Sequence, residues 1–147
     1  NTKIILSLSD SFCVDRHRNS FLELIDEYVD IVFCNESEVL SLFQKDNLAN
    51  CQRDLSSLCE LVVVTLGSNG SLVLNNDHIE VIKSMKKGKV IDTTGAGDIY
   101  AGGFIHGLIN NYSLKKCGEI GSICAGQIIT QLGSRSNIDL KELIREN

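Results

Sequence analysis

Proline and tryptophan are absent from this chain of 147 residues, and methionine occurs once. Average usage of about 5% would give roughly seven prolines in a chain of this length, so the loops must turn on glycine, asparagine, aspartate and serine. Apolar runs such as 4–8 and 61–66 are far shorter than the about 18 residues of a membrane-spanning helix. Asn1 stands before an apolar run without a basic region, so we expect neither a signal peptide nor a membrane span.

A positive charge excess is also missing, because 19 acidic and 14 basic residues give a net charge of -5. This balance offers no general attraction to nucleic acid or to an anionic membrane. The six cysteines contain no C-x-x-C pair, and most lie in apolar patterns that are typical of buried, reduced thiols. We therefore expect a soluble, cytoplasmic protein whose partners are neither nucleic acids nor membranes.

Short apolar runs alternate with helical patterns along the first half of the chain. Strands are predicted at 2–7, 31–34 and 61–66. Helices are predicted from Asn19 or Ser20 to about 29, at 37–43 and at 48–58. Two more strands, at 71–74 and 79–82, flank turn-forming residues and predict a hairpin. Helices follow at 99–109, then from a cap at Ser113 to Leu132, and at 140–144. This order predicts an α/β fold with a mainly parallel sheet, helices on both faces and a β-hairpin.

The segment D-T-T-G-A-G-D at 92–98 stands directly before a predicted helix. The small residues Gly95, Ala96 and Gly97 leave backbone N–H groups open to an anion, and a helix N-terminus adds donors and partial positive charge. Asp98, in the first turn, can accept a proton from a hydroxyl while these amides hold phosphoryl oxygens. An ordinary loop with a favourable first-turn acid explains the same seven residues about equally well.

Residues 92–105, D-T-T-G-A-G-D-I-Y-A-G-G-F-I, resemble the carboxyl-terminal signature of the ribokinase and adenosine kinase family, the PfkB-type carbohydrate kinases. Two further motifs of that family occur in order: N-E-S-E at 35–38 resembles N-x-x-E, and T-L-G-S-N-G at 65–70 resembles T-x-G-x-x-G. Residues 10–18 and 29–36 look most like the bacterial adenosine-kinase-like branch, although Ser11 stands where we expect proline. The resemblance implies a ribokinase-like fold.

The resemblance also implies an activity, namely ATP-dependent phosphorylation of a hydroxyl group on a sugar or nucleoside. It makes Asp98 the catalytic base. It places the anion hole for the transferring phosphoryl group at Gly95, Ala96 and Gly97. The implied nucleotide-binding residues are Thr65, Gly67 and Gly70.

The same resemblance also implies sites for two cations, Mg²⁺ and a monovalent cation. Asn35 and Glu38 would organise Mg²⁺, through water because this ion usually keeps several of its waters. Asp92 and Thr94 resemble positions that help to hold a monovalent cation such as K⁺, with further contacts from the loop at 133–137. Taken without the other motifs, Asn35 is better explained as a helix cap.

The resemblance spans nearly the whole chain, so we expect residues 1–147 to be the carboxyl-terminal part of a single ribokinase-like domain. The amino-terminal half and its lid, which supply most of the acceptor pocket, are expected to be absent from this sequence. The expected partners are a small-molecule sugar or nucleoside and, for self-association, a second copy in a homodimer. The alternative is a non-catalytic nucleotide-binding fragment or regulatory module without a complete acceptor site. A dinucleotide-dependent oxidoreductase is disfavoured because G-x-G-x-x-G is missing.

Overall fold

The computed structural model describes residues 2–76 and 78–145. Its strands are β1 (Ile5–Ser7), β2 (Ile31–Asn35), β3 (Leu61–Thr65), β4 (Ser71–Asn75) and β5 (His78–Ile82). Its helices are α1 (Ser11–Tyr28), α2 (Glu36–Phe43), α3 (Gln52–Ser56), α4 (Ala96–Ile109), α5 (Leu114–Ile128) and α6 (Leu140–Arg145). None of the helices in the described ranges is long and apolar enough to cross a membrane.

The described residues divide into two compact units. The first contains the residues up to Leu66 together with Leu72–Glu80, and the second contains Gly67–Ser71 and the residues from Val81 onward. The first unit therefore carries most of the sheet and α1 to α3. The second carries α4 to α6 and the loop that leads into α4.

The five strands form one sheet in the order β1-β2-β3-β4-β5. β1 pairs with β2 and β2 with β3 in parallel, and the second pairing runs in register from Ile31↔Leu61 to Asn35↔Thr65. β4 and β5 are joined by only two residues, a connection that is long enough for antiparallel neighbours alone. The predicted parallel arrangement with a hairpin is confirmed.

The central strands are buried because their apolar runs are nearly continuous. In β2 and β3, Val32, Val63 and Val64 are at most 1% exposed. They belong to or adjoin a core that includes Leu42 of α2 and Leu55 of α3. This is the pattern expected for parallel strands covered on both faces.

The first strand differs from its prediction. It is shorter, at Ile5–Ser7, and Ile4 and Ile5 are 48% and 39% exposed although residues 2–7 were predicted to form a buried strand. The reason is position in the sheet, since β1 stands at the end of the strand order and has a described neighbour on one side, β2.

Helix α1 begins well before the predicted start at Asn19 or Ser20. Its cap is Asp10, whose side chain accepts a hydrogen bond from the Cys13 N–H at 2.8 Å. The helix is kinked at His17, where φ is −120° and ψ is 24°. The predicted helix at 48–58 is also altered: it is a 3₁₀ turn at Leu48–Cys51 followed by α3.

In the second unit, glycines allow α4 and α5 to approach closely. A Cβ on Gly103 would lie 3.1 Å from the Gly121 Cα, and one on Gly107 would lie 3.0 Å from the Cys117 Cα. α5 ends at Ile128 rather than at the predicted Leu132, which is 80% exposed. Because the Leu132 side chain lies in solvent, it contributes no buried apolar contact that would extend α5 to that residue.

Candidate active site

The amino-terminal end of α4 is open to solvent. Its cap is Gly95, with φ 74° and ψ 5°, and no side chain in the described part of the chain caps the helix. α4 begins at Ala96, three residues before the predicted start, so Asp98 is its third residue and lies in its first turn. Gly97 and Asp98 are both exposed. An exposed carboxylate therefore stands beside an uncapped helix N-terminus.

The backbone donors of this turn are only partly used. The Ala96 N–H donates to the Thr93 carbonyl at 3.1 Å, and the Ile99 N–H donates to the Gly95 carbonyl at 2.9 Å. Within 2–76 and 78–145, the N–H groups of Gly97 and Asp98 have no hydrogen-bond acceptor. Free amides at a helix N-terminus are ready donors for an anion. Of the three predicted anion-hole residues, Ala96 thus has its amide occupied in this conformation.

Asp92 fixes the loop in front of α4. Its Oδ1 accepts hydrogen bonds from the Thr94 N–H at 2.9 Å and the Thr94 hydroxyl at 2.7 Å, and its Oδ2 accepts one from the Gly133 N–H at 2.9 Å. The Thr94 hydroxyl, followed by the two amides, lowers the pKa of the Asp92 carboxyl below its ordinary value. These bonds bring Asp92 and Thr94 together with the start of the loop at 133–137, as the potassium prediction requires.

Gly95 is required where this loop meets the chain after α5. A Cβ at that position would lie 2.5 Å from the Ser134 Cβ, and the positive φ is a backbone conformation that side chains rarely adopt. Sequence reasoning named the loop that contains Ser134, but it did not find this contact. A glycine at a helix start signals an unusual backbone angle, whereas its neighbour in space leaves no local signal.

In the first unit, Asn35 and Glu38 form a capping box at the start of α2. The Asn35 side-chain oxygen accepts from the Glu38 N–H at 3.0 Å. The Asn35 N–H and side-chain amide donate to the two Glu38 oxygens at 2.9 and 2.7 Å. Glu38 is 4% exposed. Burial raises the pKa of its carboxyl, the bonds from Asn35 oppose that rise, and the nearby Asp10 carboxylate adds to it.

The capping box affects whether Asn35 and Glu38 would bind magnesium directly or through its waters. An ionised carboxylate has about four acceptor sites, and Asn35 uses one on each Glu38 oxygen. The pair therefore fits an ion whose bound waters donate hydrogen bonds to the remaining acceptor sites of Glu38. Among the described residues, no group of three or more His, Cys, Asp or Glu side chains is arranged to hold a metal.

The T-L-G-S-N-G motif at 65–70 begins at the last residue of β3. Thr65 ends the strand and its hydroxyl donates to the Cys34 carbonyl at 3.3 Å. Gly67 and Gly70 have φ of 56° and 92°, and Gly67–Asn69 forms an exposed 3₁₀ turn. A Cβ on Gly70 would lie 1.9 Å from the Ile82 carbonyl oxygen. The turn is accessible and depends on glycine, as a nucleotide-binding loop would.

A family model for pfkB family carbohydrate kinases matches residues 1–141. The nucleoside kinase of Methanocaldococcus jannaschii is 36% identical over 123 residues, covering 82% of this chain and 39% of that protein. A probable sugar kinase from Rhizobium etli superimposes with a TM-score of 0.96 at 38% identity, over 99% of this chain and 44% of its own. The adenosine kinase of Sinorhizobium meliloti superimposes with a TM-score of 0.95 at 39% identity, over 98% of this chain and 44% of its own.

The chain therefore belongs to the pfkB family of carbohydrate kinases, and its fold is ribokinase-like, as the three motifs implied. It spans less than half the length of each of the relatives named above. The family is one of sugar and nucleoside kinases.

Proposed function

We propose that the protein transfers the γ-phosphoryl group of ATP to a hydroxyl group of a sugar or nucleoside. The observation that carries this proposal is the exposed carboxylate of Asp98 in the first turn of α4, next to backbone amides that have no acceptor among the described residues. Membership of a family of sugar and nucleoside kinases supports it independently. The alternative, a non-catalytic nucleotide-binding module, has no such observation in its favour.

In this mechanism Asp98 accepts the proton of the acceptor hydroxyl as its oxygen attacks the γ-phosphorus in line with the departing ADP oxygen. The free amides of the α4 turn donate hydrogen bonds to the phosphoryl oxygens, where negative charge increases during transfer. Gly95, Ala96 and Gly97 form this anion hole: the Gly97 amide is already free, and the Ala96 amide takes part once its bond to Thr93 opens. Proton removal by a positioned base accounts for about 10² to 10⁴ in rate.

The remaining motif residues hold the donor. Thr65, Gly67 and Gly70 line the nucleotide, because the glycines let phosphates and ribose approach the backbone. Asn35 and Glu38 would hold magnesium through its waters, and the metal would supply charge neutralisation on the phosphates.

The proposed potassium position lies where Asp92 and Thr94 approach the loop at 133–137. The Asp92 carboxylate accepts from both Thr94 and the Gly133 N–H, so it joins 92–94 to the first residue of the loop at 133–137. Residues 1–147 act in this proposal as the carboxyl-terminal part of one kinase domain. Adenosine-like and ribose-like acceptors both fit, and the cytoplasmic location and homodimer remain predictions.

The test is transfer of labelled phosphate from ATP to a panel of nucleosides and sugars by the protein at its full natural length. Asp98→Asn should lower kcat by about 10² to 10⁴ with little change in ATP affinity. Glu142→Gln is the matched control, since Glu142 is likewise an exposed acid at the third position of a helix, α6. It should leave kcat unchanged. An Asp98→Asn enzyme with wild-type turnover would remove Asp98 from the mechanism.

A further inference from the structure

A buried pair of hydroxyl groups lies behind the exposed site in the second unit. The Ser71 and Tyr100 hydroxyls share a hydrogen bond of 2.6 Å, and the two residues are 1% and 4% exposed. Burial is the main cause that raises the pKa of Tyr100, to about 12, so both groups stay neutral at physiological pH. Neither residue belongs to the site described above.

The two partners stand next to two different parts of that site. Ser71 directly follows residues 67–70, the segment between the two positive-φ glycines, which we call the glycine turn. Tyr100 is two residues after Asp98 in α4, which corresponds to about 3 Å along the helix axis. Because two residues turn a helix by about 200°, Tyr100 faces the interior while Asp98 faces solvent, as their burial shows.

The tyrosine ring has little room to move. A Cβ on Gly121 of α5 would lie 3.0 Å from two ring carbons of Tyr100, and one on Gly118 would lie 3.3 Å from its hydroxyl. The ring also stacks with Phe104, with centroids 6.3 Å apart. Helix α5 thus presents glycines that accommodate the ring and hold its hydroxyl against Ser71.

The glycine turn is fixed at its other side as well. The Ser84 hydroxyl donates to the Ser68 carbonyl at 2.7 Å, and Gly70 lies against the Ile82 carbonyl. These contacts hold the turn to the last residue of β5 and to the chain directly after it. The Ser71–Tyr100 bond joins the residue directly after the turn to α4.

We propose that Tyr100 is a positioning residue: through its buried hydrogen bond to Ser71 it sets the first turn of α4, with Asp98, relative to the Gly67–Gly70 turn that holds the nucleotide. The inference rests on the proposed kinase function. It assigns to Tyr100 an effect on the alignment of base and phosphoryl group rather than any contact with substrate.

The variants are Tyr100→Phe, Ser71→Ala and their combination, in the protein at its full natural length, with ATP and the best acceptor from the panel. Tyr100→Phe should lower kcat about tenfold while the KM for ATP changes less than about threefold, because small misplacements of reacting groups cost rate more than ground-state affinity. Tyr112→Phe removes the same hydroxyl from an exposed ring in the same unit and should change neither.

The double variant separates positioning from stability. Each single variant leaves a buried hydroxyl unpaired or a small void and should lower the melting temperature, whereas removing both polar groups should restore most of it. If the bond positions α4, kcat of the double variant stays low despite the recovered stability. If kcat recovers together with the melting temperature, the role is structural and the inference is wrong.

Two other results also decide the matter. An active wild type whose kcat is unchanged by both Tyr100→Phe and Ser71→Ala overturns this inference alone. Ser71→Ala serves as the reporter if Tyr100→Phe does not fold. A wild type that transfers no phosphate to any acceptor overturns the proposed function, and this inference with it.

Discussion

Two helix N-termini in this protein carry predicted site residues, and they are built in opposite ways. At α2, the side chains of Asn35 and Glu38 satisfy each other's backbone donors, and Glu38 is buried. At α4, the cap is a glycine without side-chain hydrogen bonds, and the first turn is exposed. The N-terminus of α2 is therefore capped by its own side chains, whereas the N-terminus of α4 leaves backbone donors available to a ligand.

The capped N-terminus of α2 contributes to stability, whereas the open N-terminus of α4 is available for ligand binding. A closed capping box lowers the free energy of the folded state by satisfying donors that would otherwise be orphaned. An open end forgoes that stabilisation, and the forgone hydrogen bonds become available to a ligand. Substitutions at α2 should therefore act mainly on stability, and substitutions at α4 should act on stability only where the backbone itself is constrained.

The largest stability effect is expected at Gly95. In Gly95→Ala the residue must keep a positive φ and its Cβ would lie 2.5 Å from the Ser134 Cβ, so we expect a loss of about 1 to 3 kcal/mol in the free energy of unfolding. Gly97→Ala is the control, since a Cβ there meets nothing within 4 Å. It should change stability by less than about 1 kcal/mol. Equal urea midpoints for the two variants would disprove the close approach of Gly95 to Ser134.

Asn35→Ala opens the closed end and should cost about 1 to 2 kcal/mol near neutral pH, as the loss of a good cap does. The cost should depend on pH, because burial already raises the pKa of Glu38 from 4.5 and the lost Asn35 bonds were opposing that rise. A raised pKa favours the folded state below the ordinary value and disfavours it as pH rises through the folded value. Urea unfolding at pH 4 should therefore show a smaller loss than at pH 7.

Asn47→Ala provides the comparison for that experiment. Asn47 caps the 3₁₀ turn after α2 by accepting from the Asn50 N–H at 3.0 Å, and both residues are exposed. Its replacement should cost less, with no difference between pH 4 and pH 7. If Asn35→Ala shows the same pH-independent loss, the Asn35 donors are not what stabilises the Glu38 carboxylate.

The contrast between the two ends could be predicted only in part. The strands at 31–34 and 61–66 were placed to within one residue because their β-branched runs are continuous and buried. The motif residues were found because each lies in a short segment of fixed spacing. In contrast, Asn19 and Ser20 are cap-type residues that lie inside α1, because Asp10 caps the helix first.

What escaped prediction depends on contacts between distant residues. The Ser71–Tyr100 bond joins residues 29 positions apart. The resemblance placed the loop at 133–137 near Asp92, but it did not identify the bond from Gly133, which is 41 residues away. Neither leaves a local pattern of hydrophobicity or turn chemistry. The occupation of the Ala96 amide by Thr93 is a local event, but it depends on backbone angles that several loop sequences could adopt.

The smallest expected effect concerns the loop before α4. Hydrogen bonds from the Thr94 hydroxyl, the Thr94 amide and the Gly133 amide lower the pKa of Asp92 from 3.8. A lowered pKa contributes stability that is present above the ordinary value and is lost as pH falls through the folded value. Asp92→Asn should therefore be less stable than wild type at pH 7, and the gap should close as pH falls below about 3.8.

Urea unfolding of both proteins from pH 7 to pH 3 measures this gap. Asp139→Asn serves as the control, since the Asp139 side chain accepts from the nearby Lys141 amide at 2.8 Å and, within the described ranges, bonds to no distant segment. Its difference from wild type should stay constant over that range. A gap for Asp92→Asn that does not narrow in acid would mean that the carboxylate does not hold 92–94 to Gly133, and the open end of α4 would then owe its shape to Gly95 and Ser134 alone.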